Sequence, residues 1–446
     1  MSSDSATDRP PGGGCDDIVV TDADARKVAF GAFVGTALEW YDFFLYGTAA
    51  SLVFNQLFFA TKDPLVSTMA AFATFAVGFV ARPIGALIFG RIGDKVGRRK
   101  ALLITVVLIG FVTGGIGLLP TYAQIGVAAP VLLTSLRLLQ GVAVGGEWGG
   151  AVTLAVEHAP AERRGRYAAM PQIGSPIGTL LSSGAFFAVG LLPQEAFMSW
   201  GWRIPFLLGF PLLYIAVYIR KRVEESPLFE LMLEKDELAA TPVRTVFTKG
   251  WRELLIGGGS SLLGVGGFYL VTTFMIAYGT GTLGLSRSLL LGATLVAAAV
   301  EILVLIAGGR MVERIGAGRV TLIGGLASAL FAYPLFLMVD TKNPALVVSG
   351  IVVGIALLSI PYAASGALLT ELFPANLRYS GVSLSANIAS IISGFVPLLA
   401  TAVLAASGKQ SWAPALLLVV LALTTAGCGV LATRHAAGAS TRVARW

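Results

Sequence analysis

The stretch SLLLGATLVAAAVEILVLIAG, from Ser288 to Gly308, is a continuous apolar run with a single charge, Glu301. About 20 such residues, rising about 1.5 Å each, carry an α-helix across the roughly 30 Å hydrocarbon layer of a bilayer. Runs of the same kind fall at 28–56, 65–89, 101–120, 129–155, 167–191, 203–219, 253–280, 320–339, 345–369, 380–405 and 411–432. With the first they make twelve spans. They are long, continuous and rich in Leu, Ala, Val and Gly, whereas a transmembrane β-barrel reads as short alternating segments. The fold class is therefore all-α membrane protein. Composition agrees, since 446 residues at 55% hydrophobic and 13% charged hold more apolar surface than soluble cores could bury. A soluble enzyme is excluded.

The turns between the runs carry the basic residues, concentrated in every second turn, and the other turns are nearly free of Lys and Arg. Arg91, Lys95, Arg98, Arg99 and Lys100 come first, then Arg163, Arg164 and Arg166, then Arg220, Lys221 and Arg222, then Arg310, Arg314 and Arg319, and last Arg378. The positive-inside rule places those turns and both termini in the cytoplasm. The same rule accounts for the formal charge of +7, so no nucleic-acid partner is expected.

Residues 1–25 are polar, rich in Asp, Ser, Gly and Pro, and read as a disordered cytoplasmic tail without an apolar signal core. Residues 26–219 then form an N-terminal six-helix bundle and 251–433 a C-terminal one. The charged stretch 220–250 reads as the cytoplasmic linker between them, and 434–446 as a cytoplasmic tail. An internal repeat supports the division: Gly90, Arg91, Asp94, Lys95 and Gly97 recur at one constant offset as Gly309, Arg310, Glu313, Arg314 and Gly316. Glu157, Pro160 and Arg164 recur likewise as Glu371, Pro374 and Arg378. Two halves of equal topology fit parallel repeats about an axis along the membrane normal.

Gly90 to Lys100, G-R-I-G-D-K-V-G-R-R-K, resembles the loop signature of the major facilitator superfamily, and Arg137, Gln140, Gly141, Gly145 and Gly146 resemble its R-x-x-Q-G-x-x-x-G-G motif. Glu39-Trp40-Tyr41-Asp42-Phe43, Gly145-Gly146-Glu147-Trp148-Gly149-Gly150, Ser199-Trp200-Gly201-Trp202-Arg203-Ile204-Pro205 and Glu225-Ser226-Pro227 are similar to the metabolite:proton symporter family within it. That resemblance covers nearly everything after the tail. It implies the major facilitator fold, an inner (plasma) membrane location, and symport of protons with a small polar metabolite. Members of the family carry shikimate, proline and betaines, 2-oxoglutarate or citrate, and the Gly-Gly-Glu-Trp-Gly-Gly stretch leans toward the shikimate side. A departure stands at Ala317 and Gly318, where the N-terminal copy of the loop has Arg98 and Arg99, so the second charge clamp is expected to be weaker.

Charged groups within a bilayer cost at least about 2.5–3.5 kcal/mol each and are functional candidates by default. They are Glu39 and Asp42 in the first span, Arg82 in the second, Arg137 and Glu147 in the fourth, and Glu301 in the eighth. Gly31, Gly35, Glu39, Asp42 and Tyr46 recur at steps of three and four, which lines them up on one face of a helix. Asp42 is expected to be the proton-coupling carboxylate, with Arg137 at a similar depth from the fourth span. Position alone does not rank it above Glu39, Glu147 or Glu301. The plainer reading of the same charges is a set of paired struts. A buried Arg also suits a substrate carboxylate, because its planar fork donates two parallel hydrogen bonds.

Tyr41, Gln140, Tyr269, Tyr362 and Asn387 join the expected proton-coupling and substrate cavity, although hydrogen bonding between helices would equally retain such groups in apolar runs. Gly174, Ser175, Pro176 and Gly178 in the fifth span suggest either a kink or close packing. In relatives the loop holding Asp94, Lys95, Arg98 and Arg99 makes an ion-pair latch, and Glu157 with Arg164 and Glu371 with Arg378 look like similar cytoplasmic gate clamps. The alternative is a basic turn serving topology alone.

Only Cys15 and Cys428 occur, so no disulfide framework or cysteine metal site is available. His158 and His435 fall in a turn and a tail. No nucleophile–His–acid set is visible, and no Gly-rich turn follows a strand. The protein is expected to be a monomeric non-enzyme in contact with lipid, needing no cofactor beyond a proton gradient. An exporter or antiporter on the same fold, or a metabolite sensor, are the competing readings.

Overall fold

The structure is a computed structural model that describes residues 22–59, 62–85, 87–89, 98–145, 163–221, 242–373 and 375–437. Every regular element among them is helical. Eight helices are long and apolar enough to cross a membrane, and Leu103–Gly117 and Ala128–Val144 are shorter apolar helices.

Helix α1 is Asp22–Ala49, continued by a π turn at Ala50–Phe54. Its first residues fall inside the stretch expected as a tail, so the helix starts earlier than the apolar run alone suggests. Helix α2, Pro64–Phe89, begins at a proline whose fixed φ suits a first helical position, and Asp63 caps it by accepting from the Leu65 amide at 2.8 Å. Helices α3 (Arg98–Gly117), α4 (Ala128–Val144) and α5 follow, α5 running from Gly165 to Gly190 through a 3-10 turn at Pro171–Ile173. Helix α6 comprises Arg203–Leu207 and Gly209–Lys221.

In the second half, α7 spans Trp251–Gly281 and holds two π turns, Leu263–Gly267 and Leu270–Phe274. Helices α8 (Arg287–Ile315), α9 (Ala317–Asp340) and α10 (Pro344–Leu372) are unbroken. Helix α11 is Ala375–Gly394 with Val396–Ala406, and α12 is Trp412–Ala437. Pro242–Lys249 is helical within the stretch expected as linker, and α12 runs into the expected C-terminal tail, where His435 meets Glu253 of α7 at 3.6 Å.

Helices α1 to α6 pack on one another, as do α7 to α12, and the two groups meet where α5 faces α8 and α2 faces α11. The outer surface is apolar: Leu330 is 81% exposed, Leu303 67% and Phe111 66%. An apolar belt of that extent fits acyl chains rather than water. The Ser-Trp-Gly-Trp-Arg-Ile-Pro stretch proves to be a packing device. Trp202 is fully buried among Phe54, Phe58 and Phe206, and Arg203 donates to the Gly117 and Leu119 carbonyls at 2.8 and 2.6 Å, closing the end of α3. A cation there also complements the negative end of that helix dipole.

The small residues in the middle of α5 serve close packing. A Cβ at Gly178 would lie 2.6 Å from the Tyr41 amide nitrogen and 2.8 Å from the Ala37 carbonyl, so α5 and α1 touch backbone to backbone.

Candidate functional site

Within the first half, α1 presents Asp42 to α3 and α4. Its carboxylate accepts hydrogen bonds from Thr113 Oγ1 and Gln140 Nε2, and those two side chains are themselves 3.1 Å apart. Gln140 Oε1 in turn accepts from Arg137 Nη1 at 2.5 Å. The Arg137 guanidinium lies 3.9 Å from Asp42 and is packed against the rings of Tyr46, Phe43, Phe75 and Phe79. Both charged residues are shut off from the surface. Asp42 and Arg137, expected at similar depth, are thus brought together with Gln140, and neither charge faces the acyl chains.

A second pair sits one turn back along α1 and reaches toward the second half. Glu39 and Arg82 of α2 form a buried ion pair, and Arg82 Nη1 also donates to Ser390 of α11 at 3.0 Å. Around them is a cavity lined by Glu39, Trp40, Phe43, Arg82, Tyr362 and Asn387, among others. It therefore lies between the halves, with an acid, a base and three aromatic rings on its wall. The Phe43 ring stands between the two polar groups, with the Arg82 guanidinium carbon 4.8 Å from its centroid and that of Arg137 at 5.0 Å.

The structure moves several of the expected cavity residues elsewhere. Tyr41 is not in the cavity between the halves; its hydroxyl donates to the Pro205 carbonyl at 2.5 Å, and it lines a cleft with Asp42, Thr113 and Leu213 instead. The reason is helical geometry, since two residues beyond Glu39 is more than half a turn away. Tyr269 does not line the cavity but is buried among Trp40, Phe44, Phe75 and Phe79. Tyr362 and Asn387 do line it, Asn387 also donating to the Ser383 carbonyl of its own helix at 2.9 Å.

Asp94, Lys95, Glu147 and Glu157 lie outside the described residues, as do the side chains of Arg98, Arg99 and Arg164. Glu371 is exposed at the end of α10, and Arg378 Nε donates to the Thr370 carbonyl at 3.1 Å, so Arg378 caps that helix. On that same side, Arg166 of α5 and Glu313 of α8 join the halves, with the Arg166 side chain at 3.0 Å and its backbone amide at 3.2 Å from the carboxylate. At the opposite end Arg287 of α8 reaches across to the end of α5. It donates to the Gly190 carbonyl at 2.7 and 3.0 Å, the Leu192 carbonyl at 2.9 Å and Gln194 at 2.5 Å, and lies over the Phe197 ring. Polar ties thus link the halves at both ends of the bundle.

Sequence reasoning missed Thr113, Gly78, Arg166 and Arg287. Gly78 matters because a Cβ there would stand 2.5 Å from Arg137 Nε, so the glycine makes room for the guanidinium. Glu313 carried a signal, as the repeat counterpart of Asp94, but its partner on α5 did not. Among the described residues no three His, Cys, Asp or Glu side chains gather as metal ligands.

The profile of the family described as "Sugar (and other) transporter" matches residues 28–253. The chain is 39% identical over 377 residues to the inner membrane metabolite transport protein YhjE of Escherichia coli, covering 83% of this chain and 86% of that protein. It is 37% identical to the shikimate transporter of Escherichia coli, over 85% of this chain and 88% of that one. With the proline/betaine transporter of Salmonella typhimurium it shares 34% identity over 91% and 83% of the two chains. Among solved structures, a D-xylose-proton symporter superimposes with a TM-score of 0.70 at 18% identity, covering 90% of this chain and 97% of that one.

Proposed function

The chain belongs to the sugar (and other) transporter family of the major facilitator superfamily, and on that premise we propose that it is an inner-membrane symporter carrying a small carboxylate or zwitterion together with protons. In this reading twelve spans form two six-helix halves with both termini in the cytoplasm, and the halves rock about the cavity to give alternating access. The protein works without a cofactor, driven by the proton gradient.

The observation that carries the reading is the arrangement of Asp42, joined to Arg137 chiefly through Gln140, one helical turn from the cavity-facing Glu39–Arg82 pair. Asp42 holds the transported proton. When it is charged, Gln140, Thr113 and Arg137 hold it in place; when it is neutral, the charge attraction to Arg137 is lost and the Gln140 bridge alone links α1 to α4. Arg82 receives the carboxylate of the substrate in competition with Glu39, since a guanidinium fork can serve two oxygens at once. The aromatic wall of Trp40, Phe43 and Tyr362 takes the remainder of the solute. The shikimate and proline/betaine transporters among the relatives support a solute of that size and polarity.

The test is substrate-screened uptake into proteoliposomes with an imposed pH gradient, recording both solute accumulation and proton movement. Accumulation should rise when the side from which solute enters is made more acidic. Uptake that ignores the pH gradient would rule symport out.

A further inference from the structure

Glu301 takes part in none of these contacts. It stands near the middle of α8, fully buried, and neither carboxyl oxygen has a hydrogen-bond partner among the described residues. A bare carboxylate so placed gives up its hydration with no ion pair to offset the loss, whereas a carboxylic acid carries no charge to desolvate. The site therefore suits a carboxyl that carries a proton.

The helices around it supply few charges. From α10 comes Tyr362, within electrostatic reach of Glu301 and on the wall of the cavity. The Gly174–Gly190 part of α5 has no ionisable side chain. The preceding Arg164–Ala169 segment offers Arg166, which pairs with Glu313 toward the end of α8. On α9, Arg319 and Asp340 lie at the two ends and Tyr333 is 40% exposed. Tyr278 of α7 is bonded to Asp340 at 2.6 Å. No cation in this set neutralises Glu301.

Resting on the symport reading above, we propose that Glu301 is a second proton-binding carboxyl, located in the C-terminal half and exchanging its proton with the cavity past the Tyr362 hydroxyl. The proton bound on one side of the membrane leaves on the other, and no bond other than the O–H is made or broken. A purely structural acid would stay neutral throughout.

Infrared difference spectroscopy of the whole protein in proteoliposomes, stepped in pH, separates the two. The expected result is a carboxylic-acid carbonyl band present at neutral pH, shifted by heavy-isotope glutamate labelling, reversibly lost as pH rises, and missing from Glu301→Gln. With shikimate and glycine betaine as trial substrates, Glu301→Gln should move one proton fewer per solute while solute exchange persists. A labelled band that never responds to pH in the folded wild type, or an unchanged proton ratio in folded Glu301→Gln, overturns the proposal. Should that variant not fold, the labelled wild-type band decides alone. Wild-type uptake that ignores pH would instead strike at the symport reading, and it is measured separately from the band.

Discussion

The Arg137 guanidinium stops 3.9 Å from the Asp42 carboxylate, beyond hydrogen-bond range, and Gln140 fills the gap with one bond to each. A bridged pair of this kind can lose its charge attraction and still keep a neutral hydrogen-bonded link. Asp42→Asn is therefore expected to fold and to exchange solute across the membrane. It should accumulate less solute against a gradient than wild type, move one proton fewer per solute, and show a weaker dependence of uptake on pH. Counterflow and pH-driven uptake, measured side by side in proteoliposomes, check both halves of this expectation.

Gly78 is expected to be intolerant of any side chain. In Gly78→Ala the new methyl would meet Arg137 Nε and Cδ, at 2.5 and 3.0 Å, and the overpacking should cost about 1–3 kcal/mol. Gly427→Ala is the control, since nothing lies within 4 Å of a Cβ there, and the gain from helix propensity is about 0.5–1 kcal/mol. Thermal unfolding in detergent should rank the variants Gly427→Ala, wild type, Gly78→Ala from most to least stable.

Arg287→Ala should release the end of α5 from the start of α8, because one side chain supplies every bond of that tie described above. Lysine should not restore it, since a single ammonium cannot reproduce the planar fork. Spin labels at Gln194 and Ser288 should report a wider distance distribution in Arg287→Ala and Arg287→Lys than in wild type. An unchanged distribution would show that packing alone closes this end.

The Arg166–Glu313 tie is expected to be weaker. The Arg166 side chain is 55% exposed, so solvent and salt screen the pair, and about 0.2–1 kcal/mol is the usual range for such contacts. Glu313→Gln should then change transport rate by less than about tenfold, since tenfold takes 1.4 kcal/mol. Raising ionic strength should shrink the difference between Glu313→Gln and wild type.

The eight long apolar helices were legible because a spanning helix is announced by length and apolarity, properties local to the chain. Asp42 and Arg137 were traceable for a related reason: each sits at a calculable depth in its run. Thr113 and Gly78 were not, because their places depend on how α3 and α2 are rotated against α4. An all-apolar helix gives little sign of which face points inward. Tyr41 shows the same limit from the other direction. It adjoins Asp42 in the motif, yet its ring is turned to α6, and Tyr269 is enclosed by four rings that only the tertiary packing assembles. The start of α1 and the end of α12 escaped because polar residues can continue a helix past the lipid boundary without an apolar signal.

The two π turns of α7 carry a mechanical consequence. Each winds one more residue into its loop than an α turn would, so the side chains on either side are stepped round relative to an even spiral. A rod built this way holds spare length at its middle. Returning one such turn to ordinary pitch would extend the rod and swivel one end against the other with its hydrogen bonds re-formed, a freedom that the unbroken α8 beside it lacks.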